Sequence, residues 1–426
     1  MLSKSYFGPG KTEFFYERAS SEGVQPVAAS LPEMATLLVP AELSASFAKA
    51  INVGETVKTG QRLVWGDQTG EAIISPVTGV ISTVSGYDGD CGRKYIAISI
   101  KVEKDDMWDD QFANAAGEPN LQTLVDYLSS APGSPALERL TDPAHPIHTI
   151  VIYGGDSDLL LDTSLCVLDR GIDFVEKGIR LLRKVSGVEK VFIAVPGFSL
   201  QNEDGGFPAE VKTISNQYPM GQPLMLLRNL FGCNLEQGQS AEDAGVLFLR
   251  SEAVASVGKA FTEARVPVDK IITVVYKGDR KKIVSARIGT PVGHILRMLD
   301  ISVDERDRIF FGGPMTGMAF YSEDQPIQPD TDTIIVQDHN TFIFSSENKC
   351  LNCEECVRIC PADIPVNILL RFLQSGDYQK ASDLYDLYSC VECGQCYYVC
   401  TSAIPILKYI RQAKRELERA TSGSGC

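Results

Sequence analysis

Residues 350–361 read CLNCEECVRICP, and residues 390–400 read CVECGQCYYVC. Both runs follow C-x2-C-x2-C-x3-C, with Cys350, Cys353, Cys356 and Cys360 in the first and Cys390, Cys393, Cys396 and Cys400 in the second. This is the bacterial ferredoxin spacing for 4Fe-4S clusters. A cubane needs four thiolates converging on its corners. Three can come from one tight loop, and in two-cluster ferredoxins the fourth belongs to the other run. The expected ligand sets are therefore Cys350, Cys353, Cys356 with Cys400, and Cys390, Cys393, Cys396 with Cys360. Zinc held by C-x2-C hooks is the competing reading, but zinc sites rarely repeat four cysteines in this run. Pro361 directly follows the first run, whereas the second has Thr401 there and a proline only at Pro405.

The runs are separated by 29 residues. Apolar side chains at Ile368, Leu369, Leu370, Phe372 and Leu373, then at Ala381, Leu384, Tyr385 and Leu387, recur at helical spacing around a break at Gly376. The spacing predicts an α-helical ferredoxin domain over 340–420 with a helical pair between the runs. It closes on ILKYIRQAKRELERA (406–420), an amphipathic helix with a basic face, read as a solvated cap.

The whole chain has 426 residues, enough for several domains. Its formal net charge is -15, from 40 basic and 55 acidic residues. Broad nucleic-acid binding, which needs a positive surface, is excluded. Twelve cysteines without a secretory leader read as metal ligands rather than disulfides. Cys91, Cys166, Cys233 and Cys426 are scattered, and His145, His148, His294 and His339 form no metal-ligand spacing with them or with each other. MLSKSYFGPG (1–10) has no apolar core of signal-peptide length, and no stretch approaches a bilayer span. The expected location is cytoplasmic, peripheral to the inner membrane through partner subunits.

Upstream of the cysteines, residues 1–35 read as an N-terminal extension, and about 36–105 look all-β, with short β-branched runs punctuated by Gly54, Gly60, Gly70, Gly79 and Gly86. From 115 to 276 the pattern becomes α/β. The runs 149–153 (TIVIY), 190–195 (KVFIAV), 245–249 and 269–276 (DKIITVVY) read as buried strands, with helical patterns between them. Such sheets bind ligands at the carboxyl ends of their strands. The loop YGGDSD (Tyr153 to Asp158) is thus where a nucleotide or flavin is expected. Residues 277–325 return to short strands and end in RIFFGGPMTGMAF, whose Gly312-Gly313-Pro314 marks a sharp turn. The acidic segment 322–332 reads as a linker or strap.

The fold expected is therefore multidomain, α/β and β. VGETVKTGQ followed by SPVTGVI resembles the barrel-sandwich hybrid of biotinyl and lipoyl carriers, although the hairpin tip GDQTGE (66–71) has no lysine to acylate. Taken in order, a barrel-sandwich hybrid, an α/β domain, a β-grasp module with ARIGTPVGHIL (286–296), GGPMTGMAF and two ferredoxin runs resemble the C subunit of the Rnf-type ion-translocating ferredoxin:NAD oxidoreductase (RnfC). Gly289-Thr290-Pro291-Val292, Gly312-Gly313-Pro314-Met315 with Gly317, Tyr218-Pro219 and the eight cysteines carry the match. The resemblance implies an α/β domain similar to the flavin subunit of respiratory complex I, where NADH passes a hydride to FMN and clusters carry the electrons away.

Three ligand-facing segments depart from that family. LSSAPGSPALERLTDP (128–143) stands where the family has its glycine-rich GxGGAGFPT loop, and YGGDSDL replaces NGAECEP. Gly221-Gln222-Pro223 stands where the family has GGE after Tyr218-Pro219. GGFP at 205–208 falls after the second strand and is taken as coincidence. Gly154, Gly155, Asp156 and Asp158 are then the remnants of a vestigial FMN site, and FMN is expected to be absent. The expected function is an electron-transfer subunit relaying electrons through two 4Fe-4S clusters. Its partners would be other subunits of an Rnf-like complex and a soluble donor or acceptor such as ferredoxin or NAD(H). An FMN-dependent NADH-oxidising subunit and a soluble RnfC-like reductase are the alternatives.

Overall fold

The computed structural model describes residues 13–16, 25–40, 51–64, 72–89, 93–197, 207–233, 235, 239–278, 280–341 and 348–422. The hairpin tip at 66–71, Gly205 and Gly206 of GGFP, and Cys91 and Cys426 lie outside them. Four strands, Met34–Pro40, Lys94–Val102, Gly79–Asp88 and Thr56–Val57, pair antiparallel in that spatial order. A second pair, Arg62–Val64 with Ala72–Ile74, lies alongside. Met34–Pro40 alternates half-buried and buried residues, as a strand with one face on a core must. Leu37, Val57, Leu63, Val77, Ile98 and Ile100 fill that core.

The α/β unit holds four parallel strands in the order Glu210–Ile214, Lys190–Pro196, Thr149–Tyr153, Val246–Arg250. In chain order this is 3-2-1-4, half of a doubly wound sheet. The order reverses between Thr149–Tyr153 and Val246–Arg250, and the crevice beyond their carboxyl ends is the position for a ligand. Helices Thr163–Ser186 and Ser251–Glu263 follow these two strands and cover one face.

The strand at 269–276 does not complete this sheet, contrary to the sequence expectation. Asp269–Tyr276 pairs antiparallel with Arg280–Arg287 and parallel with Thr333–Gln337. It thus lies inside a second, six-stranded sheet that also contains Arg308–Phe311, Met318–Phe320 and Val27–Ala28. A buried apolar run looks the same whichever sheet it enters, so hydrophobicity could not assign its partner. Glu210–Ile214, polar in alternate positions, was the α/β strand that the sequence reading missed. Helix Val292–Met298 packs Val292, Ile295 and Leu296 onto the second sheet.

The C-terminal unit is helical, as expected. Val366–Ser375 ends at Gly376 in the left-handed conformation, and Asp377 then caps Tyr378–Tyr385 by accepting from Lys380 N at 3.4 Å. Leu369, Leu370, Leu373, Ala381 and Leu387 are core, with Ile406, Ile410 and Ala413 from the closing helix Ile406–Ser422. Ile368 and Leu384, which share the helical spacing, point outward.

Candidate metal centre

Each cysteine run builds the same local structure, displaced by 40 residues. Asn352 and Glu354 in the first run, and Glu392 and Gly394 in the second, take left-handed backbone conformations. These turn the chain tightly enough for three cysteines to face inward. In each loop a backbone N–H points at the first sulfur, Asn352 N to Cys350 Sγ and Glu392 N to Cys390 Sγ, both at 3.4 Å. A one-turn helix follows each loop, Glu355–Arg358 and Gln395–Tyr398, and then a longer one after Pro365 and Pro405. Pro405 is thus the repeat partner of Pro365 rather than a displaced counterpart of Pro361.

Thiols of the two runs approach one another. Cys356 has Cys350, Cys353 and Cys400 as neighbouring thiols, Cys393 has Cys390 and Cys360, and Cys396 has Cys390, Cys393, Cys360 and also Cys356. Burial pushes Cys356 and Cys393 up to about 12 and Cys390 up to about 11, and the neighbouring thiols add to it. Buried thiols crowded in fours resist becoming thiolates unless a cationic core neutralises them. The described cysteines are free rather than paired in disulfides. That donor set suits an iron–sulfur group.

The environments of the two groups differ. The first loop is open, with Cys353 exposed and Leu351 73% exposed. The second is pressed against the rest of the protein, and Cys393 is only 7% exposed. A Cβ on Gly394 would lie 2.2 Å from the Met315 carbonyl oxygen, whereas the equivalent Glu354 is in solvent. Tyr218 donates its phenol proton to the Cys393 carbonyl at 2.7 Å, and Gln395 Nε2 donates to the Tyr218 carbonyl at 3.0 Å. The closing helix is more than a solvated cap. Arg411 reaches Glu392 and the Thr316 carbonyl, and Lys414 reaches Glu392 and the Cys390 carbonyl, each within 3.1 Å.

The crevice at the sheet's switch point is engaged by the chain's own groups. Asp156 accepts from Ser164 N at 2.8 Å, at the N-terminus of Thr163–Ser186, where a phosphate would otherwise be favoured. Asp158 accepts from Leu159 N, from Met315 N at 3.3 Å, and from Thr316 N at 2.8 Å and its hydroxyl at 2.6 Å. Its side chain occupies the space a Cβ on Gly313 would need. Burial pushes Asp156 up to about 7 and Asp158 up to about 6, the hydrogen bonds opposing it in both. Gly154 and Gly155 are buried, Gly154 N donating to the Ala194 carbonyl.

On the other side of the crevice, Arg250 holds Tyr153 Oη at 3.0 Å and Asp332 at 3.4 Å. Thr163 Oγ1 donates to the Asp332 carbonyl. The 128–143 stretch sends Leu128, Ala131 and Leu137 into the core, and Gly133 N donates to the Pro329 carbonyl. Gln222 donates to Tyr218 Oη at 3.2 Å. A cleft of about 680 Å3 remains beside Gly312, Thr316, Arg250, Glu392 and Lys414, whose named cations are already paired.

Among the described residues, His339 lies with Asp307 and Asp338 in a group that could hold a metal ion. Lys277 bridges Asp307 and Asp304 there, and the group reads as a structural ion pair. No helix among the described residues is long and apolar enough to cross a membrane.

Comparison with known proteins agrees with this centre. Residues 342–401 match the family of 4Fe-4S dicluster domains. The chain is 26% identical over 389 residues to the C subunit of the ion-translocating oxidoreductase complex of Pasteurella multocida, covering 86% of this chain and 46% of that one. It is 22% identical over 428 residues to the same-named protein of Buchnera aphidicola, covering 95% and 84%. It spans about half the length of the first curated relatives it matches. An NAD+-reducing [NiFe]-hydrogenase chain, in its H2-reduced state, superposes with a TM-score of 0.45 at 12% identity, over 74% of this chain and 69% of that one. At that score the likeness constrains neither fold nor chemistry. The chain is thus similar over most of its length to C subunits of ion-translocating oxidoreductase complexes, and its residues 342–401 match 4Fe-4S dicluster domains.

Proposed function

We propose that this chain is an iron–sulfur electron-transfer subunit of an Rnf-like oxidoreductase complex, relaying electrons through two 4Fe-4S clusters. The observation that carries the reading is the pair of C-x2-C-x2-C-x3-C runs brought together in one domain, with Cys400 near Cys356 and Cys360 near Cys393. Cys350, Cys353, Cys356 and Cys400 would hold one cluster, and Cys390, Cys393, Cys396 and Cys360 the other. When bound, such clusters supply one-electron transfer at a potential set by burial and hydrogen bonding. The chain's own part is to converge the thiolates, shield the second group and leave the first near solvent, open to the approach of a partner protein.

FMN and nicotinamide are not part of the proposed function. Support comes from the switch-point crevice, where Asp156 takes the Ser164 N–H at the helix N-terminus, Asp158 takes Thr316 N, and Arg250 pairs with Asp332, engaging donors that a phosphate would use. Residues 36–105 would form a barrel-sandwich hybrid and the second sheet around 277–325 a β-grasp-like module, both serving as scaffold. The inner membrane would be reached through partner subunits.

The test is anaerobic purification followed by visible spectra before and after NADH. Broad iron–sulfur absorbance that dithionite bleaches and NADH leaves alone is expected. Flavin absorbance bleached by NADH would make this an NADH-oxidising subunit instead. In Cys400→Ser, iron content should fall by about half, with the cluster of the second run retained. Loss confined to the second run's cluster would overturn the crossed assignment.

A further inference from the structure

Among the described residues, an aromatic cluster covers Cys393 of the second cysteine run. Residues 13–16 form an antiparallel bridge at Phe15 and Gln217, with Tyr16 N donating to the Asn216 carbonyl and Tyr218 N to the Phe14 carbonyl. Alternation along this short extended segment sends Phe15 outward, 50% exposed, and turns Phe14 and Tyr16 inward. Tyr16 meets the Tyr218 ring edge-on at 5.7 Å, and Phe14 meets Tyr398 at 4.9 Å. Tyr16, Tyr218, Met315 and Cys393 form a separate buried cluster, with Phe14, Leu159 and Val391 around it. Four separated pieces of chain thus close over one cysteine, and the outermost piece lies more than 370 residues away in sequence.

We propose that Phe14 and Tyr16 are positioning residues that exclude water from the second cluster and thereby hold its reduction potential down. The proposal rests on the two-cluster reading above. Its physical basis is charge. One-electron reduction adds a negative charge to a cluster already made anionic by four thiolates, and a medium poor in water solvates that charge badly. Cluster potentials follow solvent exposure and hydrogen bonding for this reason. The two loops share ligand spacing and backbone conformation, so cover is a main variable between them. Arg411 and Lys414 pair with Glu392 of the same loop, and both cations remain in variants at 14 and 16.

The experiment is a mediated potentiometric titration of the full chain with dithionite, read by electron paramagnetic resonance. In Tyr16→Ala one of the two midpoints should rise by at least a tenfold change in the reduction equilibrium, 59 mV for one electron, while the other stays. Tyr16→Phe keeps the ring and should leave both midpoints in place. Phe14→Ala, at a half-buried residue, should shift the same midpoint upward and serves if Tyr16→Ala does not fold. In D2O, deuterium coupling to that reduced cluster should grow in the alanine variants. Midpoints in both alanine variants that coincide with those of the parent overturn the proposal. A parent chain with no cluster signal overturns the reading beneath it, and the proposal with it.

Discussion

The phenol of Tyr218 donates to the carbonyl oxygen of Cys393 at 2.7 Å, joining two residues 175 apart in sequence. Tyr218 is 1% exposed, and its own carbonyl accepts from Gln395 in the same loop. A side chain of the α/β unit therefore fixes the backbone of the second cysteine loop from both sides. Tyr218→Phe removes the donor and leaves a buried carbonyl without it. The expected loss is about 1–3 kcal/mol of unfolding free energy, measured by denaturant titration under anaerobic conditions. A variant as stable as the parent would mean that the contact is incidental.

Gly394 has φ of +73° and no room for a Cβ beside the Met315 carbonyl. Gly394→Ala combines left-handed strain with a backbone clash, and should cost more than about 2 kcal/mol. Glu354→Gly, at the equivalent and exposed position, should change stability by less than about 1 kcal/mol. Equal effects at the two sites would contradict the docking of the second loop.

Asp156 is buried, and its pKa is raised to about 7. Its proton is held more tightly in the folded chain than in the unfolded one, where the ordinary value is near 3.8. Between those values the folded state binds more protons, so stability falls as pH rises from about 4 to about 7. Asp156→Asn should remove that slope, raising stability relative to the parent at pH 8 and less so at pH 5. Parallel stability curves for the two proteins across that range would refute the assignment.

Lys270 is fully buried and contacts both Glu252 and Asp332, the latter at 3.0 Å. Burial would lower its pKa, but the two carboxylates outweigh it and keep the ammonium charged. Lys270→Met strands the buried Glu252 carboxylate and leaves Asp332 to Arg250, and should cost about 3–5 kcal/mol. Because Asp332 belongs to the strap at the crevice, limited proteolysis of the variant should open first within 322–332. Cleavage unchanged from the parent would show that the strap is held elsewhere.

Much of the cysteine centre was legible in the chain itself. Ligand spacing is local: three thiols reach one point only through a short loop, so C-x2-C-x2-C is visible without knowing the fold. The helices between the runs were legible for the same reason, since periodicity of 3.6 is written in consecutive residues. The strand at 269–276 was legible as a strand but not as a member of its sheet, because pairing partners are set by contacts up to 60 residues away. The same limit hid the roles of Asp156 and Asp158. As sequence they were acidic remnants in a ligand loop. Ser164 N and the Met315–Thr316 turn, folded against them, turned them into internal acceptors.

Sequence by itself thus determined the metal chemistry and the class of each local element, because spacing and period act over a few residues. Tertiary structure alone decided that the second cysteine loop is packed against other segments while the first stays open. Burial is a property of what packs on a loop, and the residues that pack here (Phe14, Tyr16, Tyr218 and Met315) come from segments scattered across the chain.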